Sequence, residues 1–370
     1  MDCLIYDRRL LRALPSLSGL IRWCGRMSVT LCLLYKLSLI SVLLFFCSYA
    51  MAQSGRERPA GSAATPTITP PPAGWAEWLE TSPTLRRARS TQVLVVGYRE
   101  SSIPFSFLNA QRQPAGYSIE LCQGVVGLLR EWLQRPGLTI KFVAVTSATR
   151  IPQVASGLVD MECGVTTNTQ ERQRTVAFSK TIFLAETRLA SRRQDNIQQI
   201  TQLRGQVVVS TVGTTSMRQL SELNQTQQLD MTIIAGRDDT DSFQILDMGR
   251  ARAYLMDDVL LRSFIRSAKR TDAYVISTQA FSVEPYGIML NRQDKGFKQA
   301  VDAALVTLFA SGKQQHIYNK WFMQPIQVGS ASGNLAAEPG TDFNLNLPMS
   351  PRLQRVIAQP TDSANPHDYE

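Results

Sequence analysis

Histidine is nearly absent from this 370-residue chain, which has only His316 and His367, both near its C-terminal end. A Ser-His-Asp or Cys-His nucleophilic site needs an imidazole to move the proton, so that chemistry is disfavoured from the start. There is no H-E-x-x-H pair and no phosphate-cradling glycine loop. Gly329-Ser330-Ala331-Ser332-Gly333 carries Ala where a nucleophile elbow needs its reactive residue, and reads as linker. No C-x-x-C pair occurs among the six cysteines, which argues against a zinc ribbon or a thioredoxin-type centre. Cys3, Cys24, Cys32 and Cys47 lie in the first 52 residues. Cys122 and Cys163 read as buried thiols, with a single bridge between them as the alternative. No long run of one charge is present. The first 52 residues hold six Lys/Arg and two Asp/Glu, leaving 33 basic and 28 acidic residues scattered over the rest. A nucleic-acid footprint would show a basic stripe with interleaved aromatics, so nucleic acid is not an expected partner. No repeat at a solenoid period appears.

What is present begins with an export pattern. Lys36 precedes the apolar run Leu37 to Tyr49, and Ala50-Met51-Ala52 follows it. A basic flank, a short apolar core and a small-x-small exit describe a cleavable signal peptide over 1–52, cut after Ala52. The run is short for a membrane span. Met27 opens a stretch that by itself has ordinary signal-peptide proportions, so Met27 is the expected true start. Residues 53–90 read as a flexible Pro-rich linker and lead-in, including Pro70-Pro71-Pro72, with folded sequence starting near Trp75. Short apolar strands then alternate with helical periodicity: Val93 to Val96, a helix face at Cys122, Val125, Val126, Leu129, Trp132 and Leu133, and strands at Leu138 to Ala144 and Leu158 to Cys163. Strands at Val207 to Val209, Ile233-Ile234, Ala253 to Met256 and Tyr286 to Leu290 follow, then a helix over Phe297 to Phe309. This alternation is the signature of an α/β fold.

Polar loops stand at the ends of these strands: Arg99-Glu100-Ser101-Ser102, Thr146 to Arg150, Thr166-Thr167-Asn168 with Arg172, Thr211 to Thr215, Asp238-Asp239 and Asp257-Asp258. Open α/β sheets bind ligands at the carboxyl ends of their strands. A guanidinium fork matches two carboxylate oxygens, and a helix start offers free N–H groups to an anion. A carboxylate such as Asp257 suits an ammonium. The set describes a site for a zwitterion.

From about Thr91 to Ile326 the chain resembles the polar amino-acid solute-binding proteins of ABC importers, family 3, and within them the glutamate/aspartate-binding branch. The motifs are Gly97-Tyr98-Arg99-Glu100-Ser101-Ser102, Gly116-Tyr117-Ser118, Thr146-Ser147 with Arg150-Ile151-Pro152, Glu162-Cys163-Gly164, Thr166-Thr167-Asn168 and Glu171-Arg172-Gln173. Gly213-Thr214-Thr215-Ser216, Asp241-Ser242-Phe243, Met256-Asp257-Asp258, Lys320-Trp321-Phe322 and the tail Asn344 to Ser350 continue it.

The resemblance implies a two-lobed type II periplasmic-binding fold, each lobe a mixed sheet flanked by helices. Residues 91–187 with 285–326 would form lobe one, 188–284 lobe two, and 327–370 an extended tail. The chain would cross between lobes near Arg188 to Arg192 and near Ser282 to Tyr286. By position, Arg172, Thr167 and the helix start at Thr215 would hold an α-carboxylate, Asp257 the α-ammonium, and Arg99, Ser147 and Arg150 a side-chain carboxylate. Val165 stands where the branch usually has Ser, leaving its carbonyl to meet the ammonium, and Asp239 stands where it usually has His. The implied partners are a free amino acid and the membrane permease of an importer, met in the periplasm by a monomer. No cofactor, metal or catalytic residue is expected. An alternative on the same fold is a dehydratase similar to cyclohexadienyl dehydratase, with Asp239 or Asp257 as acid. Neither has an obvious reason, in the sequence, to stay protonated near arginines. A ligand-delivering sensor protein is the other alternative.

Overall fold

The computed structural model describes residues 69–268, 270–327 and 342–369. The expected signal peptide, the candidate start Met27, the linker as far as 68 and the tail stretch 328–341 lie outside the described residues. Two helices open the described chain, α1 (Trp75–Thr81) and α2 (Pro83–Thr91), beginning where folded sequence is expected to start and lying inside the stretch read as linker and lead-in. Ser82 caps α2 by accepting from the Leu85 N–H at 3.0 Å, and Pro83 fits the first helical position. Leu85 and Ala88 are fully buried, and Trp75 meets Trp132 edge-on at 5.6 Å. These partners lie far along the chain, so tertiary contact orders the segment.

Strand β1 (Val93–Tyr98) leads to a small sheet of β2 (Ser101–Ser102), β3 (Ser106–Leu108) and β4 (Pro114–Ala115). Next come α3 (Tyr117–Trp132), β5 (Thr139–Ala144), α4 (Arg150–Ala155), β6 (Met161–Glu162), the short α5 (Gln170–Gln173) and the long β7 (Val176–Arg192). Then follow β8 (Val207–Thr211), α6 (Thr215–Thr226), β9 (Thr232–Gly236), α7 (Asp239–Asp247), β10 (Ala253–Asp257), α8 (Asp258–Ser267), β11 (Tyr274–Ile276) and β12 (Ser282–Asn291). Helices α9 (Lys295–Ala310) and α10 (Lys313–Phe322) precede β13 (Ile326–Gln327), β14 (Asp342–Phe343) and α11 (Pro351–Ala358).

The expected face of α3 is buried along its length. The strand expected over Leu158 to Cys163 is confined to Met161–Glu162, and Leu158 is exposed.

The strands run β5-β1-β6-β12-β7-β10-β8-β9, with β11 also on β7. In one half β1 is parallel to β5 and β6; in the other β8 is parallel to β9 and β10. The halves share β7 and β12, antiparallel partners whose ribbon around Phe183–Glu186 and Val283–Tyr286 carries no further named strand. Arg188 to Ser191 pair with β10, and Ala190 to Arg192 with β11. The ribbon's register shifts at Tyr286 and Gly287, a weak point in a ladder and a natural place to bend.

Cys122 and Cys163 are disulfide-bonded, tying α3 to the residue after β6. The tail, expected to be extended, includes α11, capped by Ser350 and burying Leu353 and Val356. Farther on, Asp362 pairs with Lys298 at 2.6 Å and the Tyr369 hydroxyl shares a hydrogen bond with Thr181 at 2.8 Å. Among the described residues no helix is long and apolar enough to cross a membrane.

Candidate functional site

Each of the nine nominated side chains leaves the end of an element. Arg99 follows β1; Ser147 and Arg150 flank the start of α4; Val165 and Thr167 follow β6; Arg172 rides on α5; Thr215 and Asp239 open α6 and α7; Asp257 ends β10. Arg99, Ser147, Arg150, Val165, Thr167, Thr215 and Asp257 line one small, nearly closed cavity of about 10 Å³, together with Thr214 and Met256. Its walls come from both halves of the molecule. Arg172 and Asp239 are buried around the same group and reach it through hydrogen bonds and charge.

The loop before α4 is stiffened locally. Thr146 and Thr149 exchange hydrogen bonds, each backbone N–H donating to the other's hydroxyl at 2.9 and 3.1 Å. Likewise Thr169 caps the single turn that carries Arg172, accepting from its N–H at 3.2 Å. The Arg172 guanidinium donates to the Thr167 carbonyl at 2.9 Å and to the Gly213 carbonyl at 3.2 Å, bridging the two halves. Gly213 has φ +76°, and a Cβ there would stand 2.7 Å from the Ser147 carbonyl oxygen. Only glycine permits that approach of one half to the other.

At one end of the cavity, burial and then the neighbouring Glu284 carboxylate push Asp257 up to about 8. Its oxygens accept from the hydroxyls of Tyr286 and, at 3.5 Å, Ser216. Asp257 therefore does have a reason to hold its proton, contrary to the expectation from the sequence; the causes are its burial and then a second buried acid that the crossover strand brings in. Burial pulls the Arg172 guanidinium down against the opposing pull of Glu284 and Asp257. Burial and then the Arg172 charge pull Arg150 down.

At the other end, Asp239 is fully buried at the first residue of α7, where Asp238 provides the cap. It accepts from Ser102 Oγ at 3.0 Å and pairs with Arg99 Nη2 at 3.5 Å. Arg150 Nη1 donates to the Val165 carbonyl at 3.2 Å, so a protein cation occupies the oxygen expected to meet an ammonium. Six buried atoms in and next to this group have no partner: Arg99 Nη1, Arg150 Nε, Ser147 Oγ, Asp239 Oδ1, Glu162 Oε1 and Thr240 Oγ1.

Sequence reasoning missed Glu284, Tyr286, Glu162 and Ser102 as members of the site. Glu284 accepts from Thr215 at 2.8 Å and from Thr187 at 3.1 Å, and Glu162 accepts from Thr166 at 2.7 Å. Glu162 and Ser102 lie inside motifs already noted; the two crossover residues had no signal beyond polar side chains in an apolar strand. Among the described residues no cluster of three or more His, Cys, Asp or Glu side chains suits a metal ion.

Residues 94–324 match the profile of bacterial extracellular solute-binding proteins, family 3. The L-glutamate/L-aspartate-binding protein of Pseudomonas aeruginosa is 42% identical over 286 residues, covering 77% of this chain and 91% of the relative. The glutamate/aspartate import solute-binding protein of Escherichia coli is 37% identical, covering 76% and 89%. Among solved structures, a mutant of ArgBP from T. maritima aligns with TM-score 0.59 at 26% identity, covering 65% of this chain and 100% of that one.

Proposed function

Because the chain belongs to the bacterial extracellular solute-binding proteins of family 3, we propose that it captures a free amino acid in the periplasm and delivers it to the membrane permease of an ABC importer. The chain is a binding protein of this family and not an enzyme. The ligand class is glutamate, aspartate or their amides, a reading supported by the two relatives that bind or import glutamate and aspartate. The single observation that carries it is the cavity between the halves, with arginines facing in beside a buried carboxylate. Arg172, Thr167 and Thr215 hold the α-carboxylate, Asp257 takes the α-ammonium beside Val165, and Arg99, Ser147 and Arg150 face the side chain, with Asp239 shaping that end. Residues 91–187 with 285–326 act as one lobe and 188–284 as the other, closing over the ligand by hinge motion at the β7–β12 ribbon. The protein reaches the periplasm through a signal peptide ending at Ala52 and works as a monomer.

A thermal-shift screen against the free amino acids tests this. A ligand at about 100 times its dissociation constant stabilises by about 2.7 kcal/mol. Arg172→Ala should leave the fold intact and cost about 2–5 kcal/mol in binding, because it leaves a ligand carboxylate buried without its partner. Wild-type affinity in that variant, measured by calorimetry, would refute the assignment.

A further inference from the structure

We propose that Asp239, clasped to Arg99 and Ser102, makes the site prefer an amino acid whose side chain ends in a carboxamide over one ending in a carboxylate. The inference rests on the cavity being an amino-acid site, and it sharpens which amino acid.

Asp239 belongs to the half that carries β8, β9 and β10, whereas Arg99 and Ser102 belong to the other half. One carboxylate thus joins the halves at the side-chain end of the cavity. Its pairing with Arg99 cancels the charge of a guanidinium that lines the cavity wall. A ligand carboxylate has to compete with Asp239 for Arg99 and lie close to a like charge.

The wider charge count points the same way. Arg99, Arg150 and Arg172 are buried against the carboxyl groups of Asp239, Asp257, Glu162 and Glu284, all buried as well. With Asp257 holding its proton, three cations face three other acids; a zwitterion adds no net charge to that balance, whereas a side-chain carboxylate adds an unbalanced anion.

The unpaired atoms then describe the missing group. Arg99 Nη1 and Arg150 Nε are donors, Asp239 Oδ1 and Glu162 Oε1 are acceptors, and Ser147 Oγ and Thr240 Oγ1 do either. A carboxylate accepts only, and leaves Asp239 Oδ1 buried without a donor. A carboxamide accepts through its oxygen and donates through its nitrogen, matching both kinds of atom. A buried acceptor left unsatisfied weakens binding by roughly ten- to a hundredfold.

Titration calorimetry with glutamate, aspartate, glutamine and asparagine reads this out on the purified protein and on two variants. Wild type should bind one of the amides at least tenfold more tightly than its matching acid. Asp239→Asn removes the charge at constant shape, and should shift the acid-to-amide ratio at least tenfold toward the acid. Asp239→Glu keeps the charge, and should keep the amide preference. A residue that only tied the halves together would move all four affinities in step and leave the ratio unchanged. The proposal is overturned by wild-type preference for an acid, or by a ratio that Asp239→Asn does not move. The wild-type ratio decides by itself should Asp239→Asn not fold. Tight binding of an amino acid outside these four overturns this proposal and leaves the amino-acid-binding function standing, whereas no binding of any amino acid overturns both.

Discussion

Asp257 carries the clearest pH signature in the molecule. Burial and then Glu284 hold its carboxyl up at about 8, against about 3.9 for an unfolded aspartate. Between those values the folded state binds more protons than the unfolded one. Stability from this group is therefore present at low pH, falls as pH rises from about 4 to about 8, and levels off above. Urea melts at pH values near 5 and near 8 should show that fall, and Asp257→Asn should flatten it; an undiminished fall in the variant would assign it to another group. A ligand ammonium reverses the balance, because it favours the ionised carboxylate. Ligand affinity should then rise with pH toward about 8, with proton release below that value. Calorimetry in two buffers of different ionisation enthalpy detects the released proton. The sequence showed Asp257 as a candidate, but not its state, because the causes are its burial and then Glu284, and both follow from how the strands pair.

At the scale of elements, the helices and strands with regular apolar spacing were legible. Helix α3 is one, since Cys122, Val125, Val126, Leu129 and Trp132 all turn inward. The two opening helices and α11 were not, because each is held by a few contacts to distant residues. Strand β7 was also missed: its 17 residues mix apolar side chains with Lys, Glu and Arg, as befits a strand that leaves one sheet environment for another. The Cys122–Cys163 bridge joins positions separated by 41 residues in sequence. Chain-entropy arguments give such a loop about 4 kcal/mol of stabilisation. Replacing both cysteines by Ala should lower the unfolding free energy by about that amount in denaturant titrations. A loss well under 1 kcal/mol would mean that the unfolded chain is already restricted across this loop.

Closure belongs to the whole molecule. The two halves touch backbone to backbone where Gly213 meets Ser147, and side chain to backbone where Arg172 reaches Gly213. Gly213→Ala combines a disfavoured positive φ with a contact too short for any Cβ, a strain of about 1–3 kcal/mol confined to the closed arrangement. Ligand affinity should drop by roughly ten- to a hundredfold. Small-angle scattering should show less compaction at saturating ligand than in wild type. Unchanged affinity and compaction would show that the halves close without this contact.

The sequence by itself determined the α/β class, the family, the position of most strands of the large sheet and the loops that carry the site. Those depend on local spacing and on residue types at strand ends, which a linear text preserves. Only the tertiary structure decided which loops meet. It brought Glu284 and Tyr286 to Asp257, Ser102 and Arg99 to Asp239, and Cys122 to Cys163. It also turned the lead-in and the tail into packed helices. The physical reason is the same throughout: burial and the pairing of charges depend on neighbours far apart in the chain, and no local pattern records them.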